Sequence, residues 1–242
     1  MPIGIIVNAL AVAAGGLVGA LFGNKVPVKI KTELTQIFGV CAIGMGITSI
    51  VLMKNMPAVI FSVVVGSAIG LILGIGPLVN KGAAAMQKPV ARIFKNQNTS
   101  MPEDEYMASL VTIIVLFCAS ATGIYGSLDA GMSGDHTILI SKSILDFFTA
   151  MVFACNLGLV VSFISIPQCL IFLVIFALAK VILPLTTPDM IADFKACGGI
   201  LLFATGLRIA KIKMYPVADM IPAMILVMPV SWFWVNCIVP YL

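Results

Sequence analysis

Eight long apolar stretches, separated by short polar or proline-containing turns, constrain this chain more than any other feature. Each approaches the roughly 20 residues that an α-helix needs to cross the hydrocarbon core of a bilayer. Backbone groups in lipid must bond internally, and the alternating pattern of a barrel strand is absent. The sequence predicts an all-α integral membrane protein, one polytopic domain over residues 1–242, with about eight transmembrane spans at 3–22, 34–52, 58–78, 106–125, 140–163, 169–185, 194–212 and 217–239.

Composition agrees with a membrane location and excludes several other classes. Only 10% of the residues are charged, whereas about a quarter are charged in a soluble domain. No dense basic stripe with interleaved aromatic residues points to nucleic acid. One histidine and six scattered cysteines offer no clustered metal ligands, and the known phosphate-loop and nucleophile motifs are missing. We expect membrane lipid as a partner, and no cofactor, metal site, nucleic-acid partner or enzymatic activity.

Basic residues indicate the orientation in the membrane, because cytoplasmic loops carry an excess of Lys and Arg. With the N-terminus outside, ten of the 14 basic residues fall inside, and four fall outside: Lys54, Lys142, Lys180 and Lys195. The polar stretch 81–102 then becomes a basic cytoplasmic linker between spans 3 and 4. This linker either lies on anionic lipid or is simply solvated. We expect both termini to be outside.

Ionisable residues concentrate in the stretch FCASATGIYGSLDAGMSGDHTILISKSILDFF, residues 117–148. Asp146 lies about two turns into span 5, where an unpaired carboxylate is costly, so a partner or water is expected beside it. Lys142 lies four residues earlier and shares a helix face with Asp146. The two residues either mark an ion or proton path or form an ion pair that only locks two helices together.

Other polar residues extend this candidate site. Ser143 lies one turn before Asp146, and Asn8 is a polar side chain at membrane depth in span 1. Both are candidate ligands for a solute or ion. Asp135 and His136 lie in the glycine-rich turn before span 5, where they are candidates for proton exchange or ion pairing. For His136, simple solvation in a polar turn is the alternative.

Similar glycine-containing tetrapeptides occur in three spans: ATGI at 121–124, ATGL at 204–207 and GMGI at 44–47. Spans 1–3 and 6–8 can therefore be interpreted as an inverted repeat, although identities this short also arise by chance. In secondary transporters, glycine-interrupted helices of inverted repeats contact ions or substrates. Thr-Gly can equally be a packing contact. We expect spans 4 and 7 to open and meet near the membrane centre at candidate ligands Thr122, Gly123, Thr205 and Gly206.

Ladders of small residues offer three further faces for close helix packing. They are Gly15/Gly19/Gly23, Gly66/Gly70/Gly74 and Ala154/Gly158/Ser162. These are more faces than one small bundle needs, so we expect a homo-oligomer, a dimer in the simplest case. Use of all three ladders within one chain is the alternative.

The N-terminal segment MPIGIIVNALAV and the central stretch, continued as TAMVFA, resemble a bacterial membrane family called "domain of unknown function 554". The length and spread of apolar segments fit this family across the whole chain. The resemblance implies a bacterial inner-membrane location and a shared polytopic fold, and it implies no activity. Residues that match the family's central pattern are Gly123, Gly126, Gly134, Asp135, Lys142, Ser143, Asp146 and Ala150.

Three functions fit this sequence. The favoured one is a secondary transporter or exporter of a small solute or ion, using broken Thr-Gly helices and the intramembrane Asp146. The alternatives are a channel with the same architecture and a non-transporting membrane partner or assembly protein. A dependence of flux on the proton or sodium gradient separates the first from the second. The absence of any flux, together with a co-purifying protein, favours the third.

The orientation can be tested with reporters fused to the C-terminus. Because the basic residues favour the side that receives ten of them and the number of spans is even, we expect the C-terminus outside. Alkaline phosphatase, which is active outside the cytoplasm, should be active there, and green fluorescent protein should be dark. The reverse pattern would contradict the orientation.

Overall fold

A computed structural model describes residues 1–22, 27–93 and 103–241 of the chain. Its long elements in these ranges are all α-helices. The helices are α1 (Ile3–Phe22), α2 (Val28–Ile50), α3 (Met56–Leu73), α4 (Ile75–Ile93), α5 (Glu103–Cys118), α6 (Ala121–Met132), α7 (Thr137–Leu157), α8 (Val160–Ile182), α9 (Pro188–Ile209) and α10 (Pro222–Phe233). Gly23, Lys25 and residues 94–102 of the expected linker lie outside the described residues.

Eight spans within the described residues are long and apolar enough to cross a membrane. They comprise α1, most of α2, α3, α5 joined to α6, and then α7, α8 and α9 in turn. The eighth contains α10, flanked by short 3₁₀ and π segments over Val217–Tyr241. The prediction of an all-α integral membrane protein with about eight spans is therefore confirmed.

The turn between spans 5 and 6 is not where the sequence placed it. We expected the chain to turn at Ser165-Ile166-Pro167, but α7 ends at Leu157 and α8 runs through Pro167. Gly158, with φ of 75°, ends α7. This backbone conformation costs glycine little and strains other residues. As a result, Gln168 lies well inside a membrane helix, eight residues from its start.

Two other boundaries also differ from the expectation. The predicted third span, 58–78, is split by Gly74, whose left-handed backbone ends α3 before α4 begins. The predicted fourth span, 106–125, is broken at Ala119-Ser120, and α6 then continues to Met132. Asp129 and Gly131 therefore lie in a helix and not in the glycine-rich turn, which is reduced to residues 133–136.

Packing divides the chain into two compact units. Unit 1 consists of Met1–Thr35 and Leu78–Ala179, and it contains α1, α5, α6, α7, nearly all of α8 and most of α4. Unit 2 consists of Gln36–Pro77 and Lys180–Leu242, and it contains most of α2 together with α3, α9 and α10.

In unit 1, glycines let helices touch backbone to backbone. A side chain on Gly15 or Gly19 of α1 would collide with the carbonyl oxygen of Phe147 or Met151 on α7. On another face, Gly16 of α1 lies against Ser162 of α8, whose hydroxyl donates to the Ala13 carbonyl at 2.9 Å. Small residues are enriched at such membrane interfaces because they allow close approach.

In unit 2, two pairs of glycines make reciprocal contacts between α2 and α9. A Cβ on Gly39 would lie 2.7 Å from the carbonyl oxygen of Gly206, and a Cβ on Gly206 would lie 2.6 Å from that of Gly39. Gly46 and Gly199 repeat the arrangement at 2.8 and 2.7 Å. In the same unit, Gly66 of α3 packs against Ala223 of α10.

The direction of each packed pair agrees with eight successive crossings. Spans 1 and 5 should run parallel, and contacts of α1 with α7 advance together along both helices. Spans 2 and 7 should be antiparallel, as should spans 3 and 8. Contacts of α2 with α9 and of α3 with α10 run in opposite directions, as required. The packing thus supports the span count independently of hydropathy.

The small-residue ladders are used inside the chain where the structure describes them. Gly15 and Gly19 pack on α7, and Gly66 packs on α10. Gly74 and Gly158 have positive φ and cap helices. The ladders therefore no longer argue for a homodimer, which stays a prediction.

Two glycines of α2 provide a matched test of this packing. Gly46 contacts the backbone of α9, whereas a Cβ on Gly44 would meet nothing within 4 Å. We expect Gly46→Ala to destabilise the protein by about 1–3 kcal/mol because it overpacks a tight interface. Gly44→Ala should be neutral or slightly stabilising, since alanine favours helix. Thermal unfolding in mild detergent measures both, and equal effects would contradict the packing.

Candidate functional site

Asp146 is the centre of a buried polar network in unit 1. Its Oδ2 lies 2.5 Å from Lys142 Nζ, one turn earlier on α7. The same oxygen accepts from Asn8 Nδ2 of α1 at 2.9 Å. All three side chains are buried. The two expected features, an ion pair on one helix face and a polar contribution from span 1, are therefore both present.

Gln168 of α8 is a fourth member that the sequence reasoning missed. Its Nε2 donates to Asn8 Oδ1 at 2.8 Å and lies 3.4 Å from Asp146 Oδ2. The misplaced turn at Pro167 concealed it, because a glutamine beside a turn needs no partner in the membrane. Its position as the only amide between Gly158 and Lys180 was the available signal. We call Asn8, Lys142, Asp146 and Gln168 the Asp146 network.

The hydrogen bonds of this network have a fixed polarity. An ionised carboxylate can only accept, so Asn8 must present Nδ2 to Asp146. Asn8 then presents Oδ1 to Gln168, which must donate through Nε2. The Gln168 Oε1 atom is consequently left as an acceptor without a hydrogen-bond partner among the described residues, although Gln168 is 0% exposed.

The break in span 4 lies at the level of the Asp146 network. Gly126 of α6 faces Leu139 of the antiparallel α7. Ser120 lies six residues before Gly126, and residue 145 lies six residues after Leu139. Because both helices rise equally per residue and run in opposite directions, Ser120 comes to lie opposite residue 145. Similarly, Gly123 faces Phe172 of the parallel α8, which brings Ser120 level with residue 169. Lys142 is also close enough to Cys118, at the end of α5, for electrostatic interaction.

Comparisons with known proteins place these features in a family. A family described as "Protein of unknown function (DUF554)" matches residues 3–232. This chain belongs to the DUF554 family. It is 47% identical over 234 residues to the "Uncharacterized protein YqgA" of Escherichia coli (strain K12), covering 97% of this chain and 98% of that protein. It is 26% identical over 239 residues to the "Uncharacterized membrane protein YdfK" of Bacillus subtilis (strain 168), covering 96% of each. No solved structure matches.

Three more candidate residues of this DUF554 protein lie near the network without joining it by a hydrogen bond. The Ser143 hydroxyl donates to the Leu139 carbonyl of its own helix at 2.7 Å. Thr122 and Gly123 form the first turn of α6, and Ser120 caps this turn by accepting from the Gly123 N–H at 3.1 Å. The helix break expected at Thr122-Gly123 is thus present, but it lies two residues earlier in the chain, at Ser120.

The prediction that the helix opens at Thr205-Gly206 is wrong. The helix α9 is continuous there, and the Thr205 hydroxyl donates to the Leu201 carbonyl at 2.8 Å. Gly206 is occupied by its contact with Gly39. Both residues belong to unit 2, whereas Thr122 and Gly123 belong to unit 1. In this DUF554 protein, the second Thr-Gly pair is a packing contact.

Asp135 and His136 lie just before the start of α7 and do not belong to the Asp146 network. Asp135 Oδ1 accepts from the Thr137 N–H at 2.9 Å, which caps the start of α7. His136 Nδ1 is buried against Gly4 and has no partner among the described residues. His136 is six residues from Lys142, so about 9 Å of helix separates them.

A second buried carboxylate, Asp193 of α9, has a different environment. Its Oδ1 accepts from the backbone N–H groups of Lys54 and Asn55 at 2.9 and 2.8 Å. Its Oδ2 accepts from Asn55 Nδ2 at 2.9 Å and from the Ser231 hydroxyl at 2.6 Å. Both oxygens are therefore occupied, and Asp193 fastens the α2–α3 turn to α9 and α10 of unit 2.

Asp193→Ala should destabilise the DUF554 protein strongly. It leaves the buried Ser231 hydroxyl without an acceptor, which costs about 1–3 kcal/mol. It also removes the acceptor of the part-buried Lys54 and Asn55 donors, which cost less because water can reach them. Asp189→Ala, at an exposed position one turn earlier on the same helix, should cost less than about 1 kcal/mol. Thermal unfolding of the purified variants tests this. Similar losses in the two variants would show that the Asp193 contacts contribute little.

Proposed function

We propose that this protein is a secondary transporter or exporter that moves a small solute or ion across the bacterial inner membrane, with the Asp146 network as its site. The observation that carries the proposal is a buried ion pair at the level of a broken membrane helix. Ionisable groups inside a membrane bundle are expensive and commonly line substrate, ion or proton paths.

The helix break contributes polar groups to this depth. The C-terminus of α5 exposes carbonyl oxygens, and the N-terminus of α6 exposes N–H groups, with opposite partial charges. Opened backbone is tolerated at membrane depth where it is buried in protein or faces a watery cavity. In known transporters, such half-helix ends bind substrates and coupling ions. The break beside Asp146 therefore supports a binding role better than a purely structural one.

An inverted repeat of spans 1–3 and 6–8 is part of the proposal. A shift of 160 residues carries Gly39 onto Gly199 and Gly46 onto Gly206. A two-fold relation between the copies then predicts that a Gly39–Gly206 contact implies a Gly199–Gly46 contact, and the reciprocal glycine contacts of α2 and α9 agree with this. The same shift carries Asn8 onto Gln168, whose side chains bond to each other.

The orientation and environment are proposed from the basic residues and the relatives. Outer-membrane proteins of bacteria span as β-barrels, so helical spans favour the inner membrane. The excess of Lys and Arg favours termini outside. A channel using the same groups is the alternative function. Gradient-coupled movement of one species against another would support the transporter, and passive conduction would support the channel.

The role of the ion pair can be separated from its contribution to stability. Asp146→Asn alone leaves Lys142 buried and unpaired, which can cost about 3–5 kcal/mol. The double variant Lys142→Met/Asp146→Asn removes both charges, and such neutral replacements often leave stability unchanged. We expect the double variant to fold with nearly the stability of the unmodified protein and to have lost transport.

Transport can be measured in proteoliposomes that contain a pH-sensitive dye. A potassium diffusion potential is imposed with valinomycin, and solutes from a panel of ions, amino acids and drugs are added outside. We expect flux coupled to a proton or monovalent-cation gradient, read with the pH-sensitive dye or with a cation-sensitive dye in its place, from the unmodified protein and from Asp189→Asn, an exposed carboxylate control. Asp146→Asn and the double variant should give none. Full flux from the double variant would make the ion pair structural and overturn the proposed site.

A further inference from the structure

The Asp146 network lacks donors and has spare acceptors. Gln168 Oε1 is buried and unpartnered within the described structure. Among the described residues, every hydrogen bond to Asp146 reaches Oδ2, and none reaches Oδ1. A buried polar atom without a partner costs about 1–3 kcal/mol. The missing component is therefore a donor or a cation, and not an anion or another acceptor.

The spare Gln168 acceptor lies near the Asp146 carboxylate. Gln168 Nε2 is 3.4 Å from Asp146 Oδ2. The nitrogen and oxygen of one amide group are about 2.2 Å apart by its bond lengths. Gln168 Oε1 therefore lies within about 6 Å of the carboxylate, so a small adjustment of the two side chains brings oxygens of both within reach of one oxygen-ligated ion.

We propose that Asp146 and Gln168 Oε1 bind a monovalent cation, of the alkali-metal or ammonium type, which competes with Lys142 Nζ for the Asp146 carboxylate. This inference deepens the proposed transport function, because it names the class of ion that occupies the same site. Lys142 then acts as an internal cation that holds the site neutral when no external cation is bound.

The charge of the site selects a monovalent ion. Asp146 supplies one negative charge, and Lys142 balances it in the described structure. Ca²⁺ and Mg²⁺ sites normally combine several carboxylates or carbonyl oxygens. No group of three or more His, Cys, Asp or Glu side chains comes together in the described part of the chain. A monovalent cation can replace the Lys142 ammonium as the counterion of Asp146, because each carries one positive charge.

The displaced ammonium has a second place to go. Lys142 is already within electrostatic range of Cys118 at the end of α5. The last carbonyl groups of a helix attract cations, because they carry the negative end of the helix dipole. Movement of Lys142 from Asp146 toward this helix end links cation binding to the break in span 4.

Cation binding can be tested without knowing the transported solute. Purified protein is unfolded thermally in NaCl, KCl, LiCl or NH₄Cl, with choline chloride at equal ionic strength as the reference. At ten times its half-saturating concentration, the preferred cation should raise the midpoint by roughly 3–6 °C. Gln168→Met and Asp146→Asn should abolish this shift, and the exposed control Asp189→Asn should retain it.

The Lys142→Met variant distinguishes cation binding from a purely structural role of the Asp146 network. Removing the internal competitor should lower the half-saturating cation concentration at least tenfold and increase the stabilisation by the cation. An unmodified protein that responds equally to all four salts and choline would overturn the proposal. So would a shift that persists in Gln168→Met, or a Lys142→Met protein with unchanged cation affinity.

The outcome is independent of whether the protein transports anything. Cation-specific stabilisation without any flux in proteoliposomes would uphold the binding site and count against the transporter. Proton-coupled flux without cation-specific stabilisation would uphold the transporter and overturn the cation site.

Discussion

The charge on Asp146 can be kept among apolar helices only because donors from three helices surround it. Lys142 reaches it from the same helix, one turn away. This pair alone does not replace the water that both groups lose, since a buried ion pair needs further hydrogen bonds to offset desolvation. Asn8 and Gln168 supply them, but only if α1 and α8 approach α7 closely. The polar network therefore depends on the backbone packing around it.

Glycine makes this approach geometrically available. Between helices in lipid there is little hydrophobic driving force, so packing and polar contacts hold the bundle together. Gly15 and Gly19 bring α1 onto the α7 backbone, and Gly16 brings α1 onto α8 at Ser162. Asn8 lies two turns from this second contact and there meets Gln168. In unit 1, α1 thus carries both the glycines that allow close packing and the Asn8 amide that links Asp146 of α7 to Gln168 of α8.

The sequence was informative where a residue's chemistry has one outcome in a membrane, and less so where tertiary context decides. Long apolar stretches have to be helices, and Asp146 needed a partner, so both were predictable. Pro167 predicts a turn, but a membrane helix can contain a proline, and α7 ends at Gly158 instead. Thr122-Gly123 and Thr205-Gly206 are alike in sequence. Only the first follows a cap, at Ser120, whereas the second lies in continuous helix and packs against Gly39 of the neighbouring helix.

Two buried carboxylates show how the structure distinguishes holding the fold from binding a ligand. Both oxygens of Asp193 are occupied by donors from the chain, two of them backbone N–H groups that cannot leave without unfolding a turn. Asp146 has donors on one oxygen only, all from side chains that can rotate. The carboxylate can only accept, so Asn8 donates to it and in turn accepts from Gln168. The acceptor that is left without a donor is therefore Gln168 Oε1. A site that ends in an unfilled acceptor can still take up one donor or one cation, which is the chemical basis of the proposed cation site.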